Sequence, residues 1–184
     1  MNGAVQCSVL TDRVRTGCKG PGAAAWLSEH AIPVPCSANS AVAWPQGGGL
    51  VARLGTSEFF VEGSAPLIAA LDAALAGCPP GVYPVLRADA AFLIGGAGVH
   101  DALAQVCNID FARLDLARAP VIMTLMIGVT VLVLPEAAGY GRRYRIWCDP
   151  SFGEYLEHQL SVIIGTVGAG PPRAAGVVSC ELQE

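Results

Sequence analysis

A glycine-rich turn followed by a short apolar helix occurs twice in the chain, and this repeat constrains the fold more than any other feature. A shift of 76 residues superposes three positions of the two copies: Gly20 on Gly96, Gly22 on Gly98 and Leu27 on Leu103. After each turn the apolar residues stand three to four positions apart, which is the spacing of one helix face. The repeat therefore predicts a chain built from two similar halves.

The segments after each turn predict the same order of elements in both halves. In the first half, apolar runs at 50–54 and 58–62 flank a Gly-Thr-Ser turn and predict a β-hairpin, followed by a helix over about 65–76. The second half is predicted to contain strands over 92–94, 119–126, 129–134 and 144–148, a loop over 139–143 and a helix over about 151–164. This order predicts an α+β fold of two βαββα (ferredoxin-like) lobes that share one antiparallel-rich sheet layer.

The same boundaries give the predicted domain organisation. Residues 1–164 are expected to form a single domain with lobes over about 1–80 and 81–164. Residues 165–184 are rich in glycine and proline and show no helical or strand periodicity, so they predict an extended C-terminal tail.

The charge content excludes some functions and favours an interaction role. The chain has 11 basic and 15 acidic residues, 26 in all, whereas an average domain of this length would carry about 46. With 53% hydrophobic residues, the chain cannot cover its surface with charge, so we expect apolar surface to face another protein. The net charge of −4 argues against nucleic-acid binding, which requires a basic patch.

The apolar runs and the cysteines indicate a cytoplasmic protein. The longest apolar run, 121–134, is shorter than the roughly 20 residues of a membrane-spanning helix, and residues 1–20 lack the pattern of a signal peptide. The seven cysteines include no C-x-x-C pair. We therefore expect no membrane partner, a cytoplasmic location, and reduced, mostly buried thiols that are not needed for turnover.

Two motifs could carry chemistry, and both favour a structural interpretation. The turn at 95–98 follows a strand and opens a helix, as phosphate-binding turns do, but the third glycine of that fingerprint is replaced by Asp101. A carboxylate there repels phosphate and instead suits the first turn of a helix. Ser151 and Glu154 have the spacing of a capping box. A nucleophilic Ser151 would need His158, two turns into the same helix, so we predict an N-cap.

The remaining candidates also predict no catalytic, cofactor-binding or metal-binding residue in this chain. His30, His100 and His158 form no closely spaced pair and are expected to be surface or capping residues. The arginines at 142, 143 and 145 predict a solvated basic loop, or alternatively a binding site for an acidic partner or ligand.

Five motifs in sequence order resemble the gamma-subunit family of sarcosine oxidase. The matching segments are 17–23 with K-G-P-G-A, 52–60 with R-L-G-T-S-E-F, 87–98 with its glycine turn, 107–111, and Arg118 with the strands up to 156. The order is kept over about 17–160. The sequence departs from the family pattern at Gly96-Ala97, where the family has Gly-Pro, and at 149–151.

The resemblance implies both a fold and a function. The family is similar to the N-terminal part of aminomethyltransferases, the glycine-cleavage T-proteins. It implies a structural gamma subunit of a heterotetrameric flavoenzyme that oxidatively demethylates sarcosine or another N-methyl amino acid, with folate as one-carbon acceptor. The implied partners are alpha, beta and delta subunits. FAD or FMN, NAD and tetrahydrofolate are expected in those partners, and no cofactor or metal in the isolated chain.

Two other functions stay open at the level of sequence. One is a stand-alone folate-binding or aminomethyltransferase-like protein. The other is a small enzyme with a reactive cysteine, which has little support because no cysteine has a histidine nearby in sequence. For the subunit, we expect apolar surface over 23–35 and 119–148, covered by the alpha subunit in an interface above about 2,000 Å², with 142–145 at its polar rim.

Overall fold

Ten strands and four helices form the part of the chain that the structure, a computed structural model, describes, namely residues 5–138 and 141–168. The elements up to the middle of the chain are β1 (Gln6–Val9), β2 (Val14–Lys19), α1 (Ala23–Glu29), β3 (Ser40–Trp44), β4 (Gly49–Arg53), β5 (Glu58–Gly63), α2 (Ala65–Ala76) and β6 (Tyr83–Val85). They are followed by β7 (Ala90–Gly95), α3 (Val99–Val106), β8 (Ile122–Met126), β9 (Val129–Ala138), β10 (Gly141–Cys148) and α4 (Gly153–Gly168). Short 3₁₀ turns cover Phe111–Arg113, Leu116–Arg118 and Pro150–Phe152.

The strands pair in two antiparallel sheets with equivalent order. The first sheet runs β3-β4-β5-β2-β6 and the second β8-β9-β10-β7-β1, so each strand has a counterpart in the other half. The outermost strands are exchanged, because β1 pairs with β7 and β6 pairs with β2. The predicted α+β class and its twofold repeat are confirmed. Each half contains five strands, two more than βαββα, and the halves form two sheets rather than one shared layer.

The two glycine turns explain why the repeat is visible in the sequence. Gly20 and Gly96 have φ angles of +123° and +112°, a region that side chains with a Cβ rarely adopt. Each turn delivers the chain into α1 or α3, where Leu27 and Leu103 are both fully buried. The superposition found in the sequence therefore corresponds to equivalent turns and equivalent core contacts.

Side-chain alternation along the strands produces four layers, ordered helix, sheet, sheet, helix. Phe59 of β5 packs under α1 and α2, while the next residue, Phe60, faces the second sheet. On β10, Ile146 packs under α3 and α4, while Trp147 faces the first sheet. Phe60 and Trp147 meet edge to face with ring centroids 5.1 Å apart. The space between the sheets is therefore an apolar core of its own.

Several predicted boundaries need correction. The strand predicted over 119–126 begins at Ile122, because Ala119 has a φ of +42° and Pro120 has no N–H to donate. The loop predicted over 139–143 is wrong at 141–143, which belong to β10, and residues 139 and 140 lie outside the described residues. The helix predicted to stop at 164 continues to Gly168, since Ile164 and Val167 pack on the core, so the tail does not start at 165. Residues 169–184 lie outside the described residues.

The segment 23–35 does not provide the exposed apolar surface expected from the sequence. Trp26, Leu27 and Ile32 are all buried against the first sheet. The expectation of exposed apolar side chains over 119–148 is confirmed at Met123 and Leu125, which are 54% and 60% exposed. No helix within the described residues is long and apolar enough to cross a membrane.

Candidate functional site

A fully buried carboxylate, Glu62 at the end of β5, joins the two sheets. Arg15 Nε of β2 donates to Glu62 Oε2 at 2.9 Å, and Trp147 Nε1 donates to the same oxygen at 2.8 Å. Arg145 Nη1, on β10 of the second sheet, donates to Glu62 Oε1. Both carboxylate oxygens are thus used, and two of the three donors come from the opposite sheet. The group acts as a polar clamp between the layers.

The arginines of this clamp are held in place by further contacts. Arg15 Nη1 donates to the Asp89 carbonyl oxygen at 3.0 Å, and Arg145 Nη2 lies 2.7 Å from Glu136 Oε1. Arg145 also lies over the Trp147 ring, 5.9 Å from its centroid. A buried carboxylate is tolerated when its charge and its lone pairs are matched in this way. Both Glu62 oxygens therefore accept hydrogen bonds from neighbouring side chains, and neither is free to act in catalysis.

This clamp was not predicted from the sequence, although one signal for it exists. Glu62 stands two residues after Phe60 and so faces the same side of β5, and Arg145 stands two residues before Trp147 on β10. A charged residue two positions from a buried aromatic residue lies on the same face of the strand, which predicts that its charge is buried and needs a polar partner. This pattern predicts that the Glu62 carboxylate is buried, but it does not predict which side chains form hydrogen bonds with it.

A groove of about 610 Å³ opens at one end of the space between the sheets. It is formed by the turn between β4 and β5, the segment between β6 and β7, the start of β9 and the end of β10. The lining residues are Leu54, Glu58, Leu86, Arg87, Ala88, Asp89, Met123, Thr130, Val131, Leu132, Trp147, Cys148, Asp149 and Pro150. Its floor belongs to the apolar core between the sheets, which makes it the candidate functional site.

The charged groups of the groove are partly matched. Arg87 Nη2 donates to Glu58 Oε1 at 2.8 Å, and the Arg87 guanidinium lies over the Phe60 ring. Asp89 is half-buried, and its Oδ2 atom is buried without a hydrogen-bond partner in the described structure. Burial raises the pKa of Asp89, although the charges of Arg87 and Arg15 oppose the rise. The groove therefore combines an apolar floor with an acidic margin.

Cys148, at the floor of the groove, is a poor nucleophile. Burial raises the pKa of its thiol to about 11, and the negative charges of Asp89 and Asp149 add to the rise. Burial raises the pKa of Cys7 and of Cys18 to about 11 as well. Because the thiolate is the reactive form, burial disfavours these three thiols as nucleophiles. All six cysteines of the described residues are free thiols, but Cys36 and Cys78 are exposed rather than buried.

We expect the thiols to fall into two reactivity classes. At pH 8, iodoacetamide should modify the exposed Cys36 and Cys78 quickly and Cys18 and Cys148 at least about 100-fold more slowly, since burial shields Cys18 and Cys148 from the reagent and raises the pKa of each of these two thiols to about 11. Mass spectrometry of a Cys180→Ser variant measures the rates, and denaturant at the same pH should make them similar. Equal rates in the folded protein would contradict the expectation.

The three histidines stay apart. His30 caps the C-terminus of α1 and stacks on Trp26, and His158 is exposed on α4, as the sequence predicts. His100 is half-buried instead, and its Nε2 lies 2.7 Å from the Tyr144 hydroxyl, which donates to the Phe111 carbonyl oxygen at 3.2 Å. Burial raises the pKa of Tyr144. This cluster joins α3 to the second sheet. Within the described residues, no three metal-binding side chains converge.

The predicted N-cap at Ser151 is wrong. Asp149 caps the turn that leads into α4, because its Oδ1 atom accepts from the Ser151 backbone N–H at 2.9 Å and from the Ser151 hydroxyl at 2.6 Å. These hydrogen bonds lower the pKa of Asp149. The local sequence Asp-Pro-Ser offers two capping residues, and the carboxylate two positions earlier takes the role. The Asp101 prediction is confirmed, since it lies in the first turn of α3.

The basic cluster is not a solvated loop. Arg142, Arg143 and Arg145 all lie on β10, where alternate side chains point to opposite faces. Arg142 Nη1 donates to the Phe111 carbonyl oxygen at 2.8 Å, on the α3 side. Arg143 lies 3.4 Å from Glu136, and Arg145 belongs to the Glu62 clamp. All three arginines of the cluster therefore have partners within the chain.

Comparison with solved structures identifies the fold. A chain of the heterotetrameric sarcosine oxidase from Corynebacterium sp. U-96, in complex with pyrrole 2-carboxylate, matches with a TM-score of 0.70 and 20% identity, over 91% of this chain and 87% of that one. The glycine cleavage system aminomethyltransferase T from Bartonella henselae matches with a TM-score of 0.65 and 13% identity, over 86% of this chain and 46% of that one. This chain thus spans about half the length of the second protein.

These likenesses show that the chain has the aminomethyltransferase-type fold, as the resemblance in the sequence implies. No protein-family model and no curated protein sequence matches the chain.

Proposed function

We propose that this chain is a structural, non-catalytic subunit of a cytoplasmic flavoenzyme complex of the sarcosine oxidase type. The observation that carries the proposal is the fold shared with a chain of a heterotetrameric sarcosine oxidase over 91% of this chain. The proposed complex contains alpha-, beta- and delta-type subunits, holds its flavin, NAD and tetrahydrofolate in those subunits, and demethylates an N-methyl amino acid.

The chemistry of the inter-sheet space supports a structural role. A catalytic carboxylate needs a free oxygen and an approach for substrate, whereas both oxygens of Glu62 accept hydrogen bonds from Arg15, Trp147 and Arg145. The nucleophile candidate Cys148 is held protonated by burial. Glu62 therefore serves to hold the sheets together, and Cys148 is not activated as a nucleophile.

The exposed apolar side chains support a subunit that works in contact with others. Leu86, Met123 and Leu125 are each more than half exposed, in a chain that carries few charges to keep such surface soluble.

Co-expression tests the proposal. When this chain is expressed with the alpha-, beta- and delta-type subunits of its own genome, we expect one stoichiometric complex with flavin absorbance. Omission of this chain should lower the melting temperature and yield of the complex, while turnover per bound flavin stays within about twofold. A loss of turnover from a complex of unchanged stability would contradict a structural role.

The isolated chain provides the second arm of the test. The proposal predicts that the chain alone self-associates at high concentration and, in dilute solution, binds no tetrahydrofolate in equilibrium dialysis. A well-behaved monomer that binds tetrahydrofolate and ignores the other subunits would favour the stand-alone aminomethyltransferase-like protein instead.

A further inference from the structure

The groove at the end of the inter-sheet space presents apolar side chains that the described part of the chain leaves uncovered. Leu86, between β6 and β7, is 93% exposed, and Met123 on β8 faces it across the groove at 54% exposure. Leu132 and Trp147 form the floor below them. Side chains of this size are rarely left together in water unless another molecule covers them.

The strand beside the groove is an unprotected edge. Within the described residues β8 pairs with β9 alone. The residues just before it are covered, since the Val121 N–H donates to the Asn39 carbonyl oxygen, so the free backbone N–H and C=O groups are those of 122–126. Edge strands usually carry charged side chains that block pairing with another chain. Residues 119–135 contain none, and Leu125 adds a second exposed apolar side chain on the groove face of β8. This edge is suited to pairing with an added strand.

The margin of the groove is acidic. Its lining contains three carboxyl groups, Glu58, Asp89 and Asp149, and one basic group, Arg87, which is already paired with Glu58. Asp149 is exposed at the end of β10, and the hydrogen bonds from Ser151 favour its charged form. A segment that covers the apolar floor must therefore bring positive charge to this margin.

We propose that the groove is the docking site for an extended segment of a partner subunit, one that carries apolar side chains and a lysine or arginine. The inference rests on the proposed function, since it assumes that the chain assembles with other subunits. The segment adds a strand at the edge of β8, inserts its apolar side chains between Leu86 and Met123, and places its cation beside Asp149.

Opposite charges at one exposed position test this proposal. Leu86 is almost fully exposed, so Leu86→Lys and Leu86→Glu leave the core unchanged, and thermal melting of each variant checks this. The variants are titrated into the purified complex of the co-expressed alpha, beta and delta subunits. We expect Leu86→Lys to weaken binding by at least about tenfold and Leu86→Glu to weaken it less, because its carboxylate faces the partner's cation. Val162→Lys, on the exposed face of α4, is the matched control and should bind as the unchanged chain does.

The results separate this inference from the proposed function. If the unchanged chain binds the subcomplex and both Leu86 variants bind equally well, the docking site is wrong while the subunit role stands. If Leu86→Glu weakens binding more than Leu86→Lys, a basic segment is wrong. If the unchanged chain does not bind the subcomplex, the proposed function fails and the docking inference fails with it.

A photo-crosslinker at position 86 gives a measurement that does not depend on affinity. We expect benzoylphenylalanine there to crosslink to a partner peptide that contains apolar residues and a lysine or arginine, and the same group at position 162 to give no such product. A crosslink from position 86 to a second copy of this chain would overturn the proposal.

Discussion

Replacing Glu62 by glutamine is expected to lower the free energy of unfolding by about 3–5 kcal/mol, because it removes the central charge of a buried ion-pair cluster. The amide has nearly the same shape as the carboxylate but no charge. It would leave the half-buried Arg15 and Arg145 beside a neutral group, and its amide nitrogen would be a donor facing donors. Urea unfolding followed by far-UV circular dichroism measures the loss.

Two further variants show whether the loss comes from burial. Glu58→Gln breaks an ion pair of similar length with Arg87, but Glu58 is 41% exposed, so its loss should be below about 1 kcal/mol. The triple variant Glu62→Leu, Arg15→Met, Arg145→Met removes these charges together and should recover part of the lost stability, since the buried Trp147 Nε1 still lacks its acceptor. Equal effects of Glu62→Gln and Glu58→Gln would show that the clamp contributes no more than a surface pair.

Replacing Gly49 by alanine is expected to have the second large effect, a loss of at least about 3 kcal/mol or failure to fold. A Cβ on Gly49, at the start of β4, would overlap the carbonyl oxygen of Glu62 and lie 2.9 Å from the Cα of Gly63. These are backbone atoms of the paired strand, so no side chain can move aside. The strands would separate at the residue that holds the clamp.

Gly55 is the matched control for this substitution. It lies in the turn between β4 and β5, and a Cβ there meets nothing within 4 Å. Gly55→Ala should therefore change the melting temperature little, as surface substitutions usually do. If Gly49→Ala were as stable as Gly55→Ala, the close approach of β4 to β5 at Glu62 would be wrong.

The local elements of the fold were predictable because their causes are local. The hairpin over 50–62 follows from two apolar runs and a short turn, and α2 was predicted with the bounds that the structure gives it. The helix after 151 was predicted at the right place with the wrong cap, because Asp149 and Ser151 both have capping side chains and the geometry of the turn chooses between them.

The candidate site was predictable in part. The shortage of charge indicated surface that faces another protein, and Met123 and Leu125 carry such surface. The other predicted surface, 23–35, is buried against the first sheet. This could not be predicted, because the spacing of apolar residues shows that one face of a helix is covered but not whether the same chain or a partner covers it. Leu86 and Asp89 were not singled out, since a short segment between two strands shows no periodicity.

By itself the sequence determined the twofold repeat, the α+β class and the position of most elements. Turn glycines and apolar spacing act within a few residues, so they can be read along the chain. The tertiary structure alone decided that β1 and β6 exchange places between the sheets, and that Glu62 meets Arg145, 83 residues away. Both outcomes follow from which faces of two separate sheets are buried against each other. That choice minimises exposed apolar surface and unpaired charge over the whole molecule, and no local pattern records it.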